Sequence, residues 1–100
     1  MRRGRQPVFT LTREQVIARC AAQKRSLICA GQVLAVMELM RCAGWTIKRL
    51  AQQSRVSASH LSEFLRVDGF FTSDCAFRVA HAFGLKLSTL DHLAENHVEA

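Results

Sequence analysis

The run from Thr46 to Arg66 constrains the fold more than any other feature of this chain. It holds two short stretches of helical apolar spacing with only a few residues between them. Leu50 and Ala51 share a face of the first stretch. Leu61, Phe64 and Leu65 share a face of the second. Thr46 and Ser57 stand where N-cap residues belong, each ahead of its own stretch. Ala51 is small enough to let a second helix cross the first closely. Val56 can fill the corner, and Leu61 can anchor the second helix in a core. A small residue, a turn, an aliphatic residue, a cap and another aliphatic residue at these offsets meet the mechanical needs of two helices joined by a tight turn. Such a unit leaves the outer face of its second helix free.

The rest of the chain points the same way. Tyrosine is absent, and there is one tryptophan and one proline, so strand and hairpin signals are sparse and the expected class is all-α. One hundred residues suffice for a single domain, and 49% apolar residues can supply its core. A domain this small buries a limited share of its surface, so oligomerisation would help it. No internal repeat or low-complexity segment is present.

Reading along the chain, residues 1–11 form a basic arm with Arg2, Arg3 and Arg5 around Gly4. Pro7 blocks an early helix. Thr12-Arg-Glu-Gln15 is a capping-box pattern, predicting a helix to about Lys24 that buries Val16, Ile17 and Cys20. Ser26 or Gly31 opens the next helix, with Val33, Leu34, Met37 and Met40 inward and Gly44 as its stop. Helices follow at Thr46 to about Gln53 and at Ser57 to about Arg66. Another starts at Thr72 or Ser73 and runs to about Phe83. The last, capped by Ser88, carries Asp91 at its third position. The domain is expected to span 12–94, with a frayed tail at 95–100.

Charge is uneven. The formal net charge is +6, yet residues 1–55 hold 11 Lys/Arg against two acids, and residues 56–100 hold three against six. A basic half suits a polyanion, because each neutralised phosphate releases counterions. Cys20, Cys29, Cys42 and Cys75 form no Cys-x-x-Cys pair, and His60, His81, His92 and His97 complete no closed ligand set. No metal and no other cofactor is expected. No apolar run approaches the ~20 residues of a membrane span, and no secretory signal opens the chain, so the expected setting is cytoplasmic with reduced thiols. No phosphate loop, paired-acid motif or nucleophile elbow supports an enzyme.

From Gly44 to Leu90 the sequence resembles the Cro/C1-type (XRE-like, lambda-repressor-like) helix-turn-helix regulators. The residues that carry the likeness are Gly44-Trp-Thr, Leu50-Ala51, Val56-Ser57, Leu61-Ser62, Val79-Ala80, Phe83-Gly84-Leu85 and Leu90. Val56-Ser-Ala-Ser-His-Leu-Ser62 also resembles the second motif of AraC-type activators, though the stretch after Arg66 fits those less well. The resemblance implies a bundle of five to six helices, here with an extra amino-terminal helix, and a double-stranded DNA partner. It implies a repressor or autoregulator bound to its operator as a homodimer. Base contacts then fall on Ala58, Ser59 and Glu63, with His60 and Ser62 beside them. Phosphate contacts fall at Thr46 and Ile47. Ser57 and the cations Lys48, Arg49, Arg55 and Arg66 join them by charge and position.

Four positions depart from the family pattern. Ile47 replaces a usual Gln, Arg55 and Val67 replace usual glycines, and Leu65 replaces a usual Glu. Arg55 should tolerate the turn at some strain, whereas Val67 disfavours a positive φ and predicts a loop of different shape. Glu63 and Asp68 put negative charge near DNA, although Glu can accept from cytosine N4. Arg2, Arg3 and Arg5 are expected to enter a minor groove, as arms of the family do. Phe70 and Phe71 are the candidate interface, for a second copy or for a protein partner such as a toxin or another regulator. A protein-interaction module that keeps the fold is the alternative function.

Overall fold

The structure is a computed structural model that describes residues 11–69 and 71–99. The arm residues Arg2, Arg3 and Arg5, and Phe70 of the candidate interface, lie outside the described residues. Six helices and no strand occur within them: α1 (Arg13–Ala22), α2 (Leu27–Ala43), α3 (Ile47–Ser54), α4 (Ala58–Leu65), α5 (Ser73–Ala82) and α6 (Leu87–Glu99). The all-α class read from the sequence is the class observed.

Local sequence sets most of the helix starts. Thr12 makes a full capping box, accepting from the Gln15 amide while the Gln15 side chain accepts from the Thr12 amide. Thr46, Ser57 and Thr72 each accept from the amide three residues on, closing α3, α4 and α5. Gly44 ends α2 in the left-handed region at φ 70°, where a Cβ is costly.

Helix α2 is the axis of the core. It packs on α1 and most extensively on α6, while α3 packs on α4 and α5. Val33, Val36, Met37 and Met40 of α2 are buried together with Val16, Leu50, Leu61, Phe64, Leu65, Val79 and Leu90. Gly31 sits where α2 crosses α6, and a Cβ there would overlap the backbone carbonyl of Ala94. Only glycine lets the two helices come this close.

Two expectations change at the carboxyl end. Helix α6 starts at Leu87, with the Lys86 carbonyl accepting from Thr89 and Leu90, so Ser88 lies inside the first turn and is not its cap. The helix then runs to Glu99, past the domain boundary expected at 94. Val98 packs against the core, and the Arg13 guanidinium donates to the His97 carbonyl at 2.9 Å. That carbonyl belongs to the last turn, where helices lack internal donors. Among the described residues no helix is long and apolar enough to cross a membrane.

The loop after α4 also departs from expectation. Val67 adopts φ 63° although it is β-branched. Its side chain is completely buried. Burying an isopropyl group stabilises by about 1.5–3 kcal/mol, and the left-handed backbone costs roughly 1–2 kcal/mol, so burial holds the strained geometry. The loop keeps the path a glycine would give it, with the Asp68 and Gly69 amides both donating to the Glu63 carbonyl.

Candidate nucleic-acid interface

The connection between α3 and α4 is only Arg55, Val56 and Ser57. Arg55 takes φ 62°, ψ 25°, reversing the chain after α3, and its amide donates to Ala51. Val56 then turns inward and is buried. Ser54 is buried too, and its hydroxyl accepts from the Val56 amide at 3.3 Å. This gives the buried Val56 amide a partner within the tight turn. From α5, Arg78 braces the same turn by donating to the Arg55 carbonyl at 3.3 Å, while Asp74 holds Arg78 at 3.0 Å.

Burial of Leu61, Phe64 and Leu65 fixes which way α4 faces. At about 100° per residue, Ser59 and Glu63 fall at the middle of its outer face. Ala58, Ser62 and Arg66 fall on one flank and His60 on the other. Ala58, Ser59 and Glu63 are exposed, whereas His60 and Ser62 are half-buried. Ala58, Ser59, Ser62, Glu63 and Arg66 line one open depression of about 450 Å³, together with Ile47 from the start of α3. Five of the residues expected at a reading surface therefore share one face.

Cations flank this face on α3 and the turn. Lys48, Arg49 and Arg55 are exposed, and the Arg49 guanidinium lies 5.6 Å from the Trp45 ring centroid. Trp45 in turn stacks on Phe83 at 4.8 Å, so Arg49 rests on a platform tied to the fold. Thr46 and Ser57 are exposed caps whose hydroxyls are already engaged with Arg49 and His60 amides. What α3 offers an anion is the backbone amides of Ile47 and Lys48, first-turn donors without an intrahelical partner.

Two expected phosphate contacts sit differently from the others. Ile47 is 8% exposed and its side chain joins the core, leaving only its backbone amide for an anion. The period Ile47, Leu50, Ala51, Ser54 could have signalled this inward turn. Arg66 is half-buried and donates to Ser62 Oγ at 2.5 Å and to Asp68 at 3.4 Å. Because the Asp68 pair is solvent-exposed, it is worth at most about 1 kcal/mol, so Arg66 can exchange it for a stronger anion.

Charge from the amino-terminal half is used partly inside the molecule. Arg19 donates to the Arg66 carbonyl at 2.9 Å, Gln23 to the Val67 carbonyl at 2.6 Å and Arg25 to the Gly69 carbonyl at 2.6 Å. These three side chains fasten the carboxyl end of α4 to α1 and the loop behind it. Local pattern could not reveal them, because the partners are 44 to 47 residues apart. Phe71 is half-buried and stacks on Phe64 at 3.8 Å, so it serves the core side of the loop.

All four cysteines are free thiols. Burial, reinforced by the charge and hydrogen bonding of nearby Cys29, pushes the Cys20 thiol up to about 11. Among the described residues no three His, Cys, Asp or Glu side chains gather to hold a metal ion. No protein family, curated protein or solved structure matched the chain.

Proposed function

We propose that this chain is a sequence-specific regulator that binds double-stranded DNA through α3 and α4, acting in the cytoplasm as a homodimeric repressor or autoregulator. The observation that carries the reading is the outer face of α4. It is held by a capped, braced three-residue turn and flanked by the exposed cations Lys48, Arg49 and Arg55. An α-helix is about 10–12 Å across with its side chains, so α4 can enter the major groove, which is about 12 Å wide. Ser59 can meet several base edges, Glu63 can accept from cytosine N4, and Ala58 can pack on a thymine methyl. The α3 amino-terminus and the three cations hold phosphates, setting register without reading sequence.

A titration against DNA flanking the chain's own gene tests this reading. Binding should weaken steeply with salt and with Arg55→Ala, and Ser59→Ala should lower the preference for one sequence. Affinity that stays at the non-specific level for every promoter fragment would refute it.

One observation favours a second reading. Glu63 stands at the centre of the outer face with Asp68 close by in sequence, and both are exposed. A protein-interaction module would use that acidic face on a basic partner. Glu63→Gln separates the two. It should leave DNA affinity equal or higher under the first reading and abolish a protein complex under the second.

A further inference from the structure

Only two large hydrophobic side chains are exposed among the described residues, Ile28 and Phe77. A single exposed apolar residue is ordinary, so its surroundings decide whether it means anything. Ile28 lies on the wall of an open cavity of about 570 Å³, between the turn that joins α1 to α2 and the segment after α4. Cys29 and Phe71 extend the apolar wall, and both are half-buried. Lys24, Arg25 and Ser26 supply polar groups, and no acidic side chain lines the cavity. The depression on α4 differs, because there Glu63 stands with Arg66. Cavities of about 300–1,000 Å³ with apolar walls and a few convergent polar groups are the kind that hold small organic ligands.

The polar groups differ in what they can still offer. Arg25 is engaged with the Gly69 carbonyl, so it contributes charge to the cavity rather than a new donor. The Ser26 hydroxyl makes no capping bond to α2, unlike those of Thr12, Thr46, Ser57 and Thr72 on their helices. Lys24 is exposed and holds φ 58°, a conformation that glycine takes without strain. A lysine there brings an ammonium group to the cavity at a cost in backbone energy. Two cations without an acid repel a cationic ligand, and a neutral one would leave their field unused.

We propose that this cavity binds a small organic anion, a carboxylate on a compact apolar body. Lys24 and the Ser26 hydroxyl donate to the carboxylate, and Ile28 and Phe71 cover the body. The same walls hold the carboxyl end of α4. Gln23 and Arg25 donate to the Val67 and Gly69 carbonyls, and Phe71 stacks on Phe64. A ligand that spans Lys24 and Phe71 therefore favours the fastened state of the segment after α4, because it binds that state and not the opened one. The proposal goes beyond the DNA-binding reading and is tested without DNA, so a failed operator titration leaves it standing.

Calorimetric titration of the full chain with phenylacetate and with octanoate is the test, with phenylacetamide as the neutral match. Saturable binding of one carboxylate per chain is expected. Phenylacetamide should bind about tenfold more weakly than phenylacetate, since it keeps the body and loses the charge-assisted contact. Lys24→Gly removes the ammonium and relieves the left-handed backbone, so it should weaken carboxylate binding about tenfold without unfolding the chain. Ile28→Ser, at an exposed wall position, should weaken it by a similar factor of about ten. Phe77→Ser, at the other exposed apolar side chain, should change nothing. Bound carboxylate should slow amide exchange at Gly69 and alkylation of Cys29, but not alkylation of the exposed Cys42. No saturable binding of either carboxylate, equal binding of the amide, or binding indifferent to Lys24→Gly or to Ile28→Ser would overturn the proposal.

Discussion

Replacing Arg55 by glycine should stabilise the fold and, under the proposed function, weaken binding to DNA. Arg55 sits at φ 62°, ψ 25°, where an L-residue with a Cβ is strained. Left-handed geometry costs such a residue roughly 1–2 kcal/mol. Glycine removes that cost but adds about 0.4–1 kcal/mol of unfolded-state entropy. The net expectation is a gain of about 0.5–1 kcal/mol, or a rise in Tm of roughly 2–8 °C for a domain of this size. Nothing else in the fold is disturbed, because the side chain is exposed and the carbonyl that Arg78 grips is kept. Arg55→Ala is the matched control, since it loses the same cation and keeps the strain. Thermal unfolding by circular dichroism should therefore rank glycine above both alanine and arginine. Anisotropy titrations at several salt concentrations should show both variants losing about one from the salt slope per protomer. If glycine melts no higher than alanine, strain at this turn is not what the geometry implies. If neither variant changes the salt slope, Arg55 touches no phosphate.

Val67→Gly should have the opposite sign. It relieves the same kind of strain but empties a fully buried position, and a net loss of about 1–2 kcal/mol in chemical denaturation is expected. Gly31→Ala should cost about 2–3 kcal/mol despite the better helix propensity of alanine, because the new methyl group meets the Ala94 backbone rather than a side chain that can move. A Tm at or above that of the unmodified chain would show that the two helices can part freely. Cys20 gives the alkaline limb of stability. Its thiol is raised in the fold, so the native state favours the protonated form. Stability is full below the ordinary value of 9.0 and is lost as pH climbs towards about 11. Cys20→Ala should flatten urea midpoints measured across that window.

The features legible in the sequence are those settled within a turn or two of chain. Thr12, Thr46, Ser57 and Thr72 close their helices through hydroxyls that reach three residues ahead, and such spacing is visible in one dimension. The outward direction of Ser59 and Glu63 follows from burial of Leu61, Phe64 and Leu65, which the apolar period already implies. What escaped depends on distant partners. Helix α6 is held to its end by Arg13, from the other end of the chain. Val67 accepts a glycine-like backbone because the core claims its side chain. Arg66 looks like a free cation in sequence but is paired with Ser62 and Asp68. Phe77 faces outward although a lone aromatic on a helix usually turns inward, because Ala76, Val79 and Ala80 take the inner positions.

The grip of Arg19, Gln23 and Arg25 on the carbonyls of Arg66, Val67 and Gly69 bears on the order in which the molecule is assembled. Helices α3 and α4 are neighbours in sequence and can pair as soon as both are made. Their final fastening must wait, because it closes a span of more than forty residues, and the entropy of closure comes before the reward. During synthesis α1 emerges first and stands ready while the rest of the domain follows. The last contacts to form should also be the first to open in the finished protein. Amide exchange at Asp68 and Gly69 should then outpace exchange in the middle of α4, with Gln23→Ala widening the gap. The far end of α4 would thus be set by a segment more than forty residues upstream.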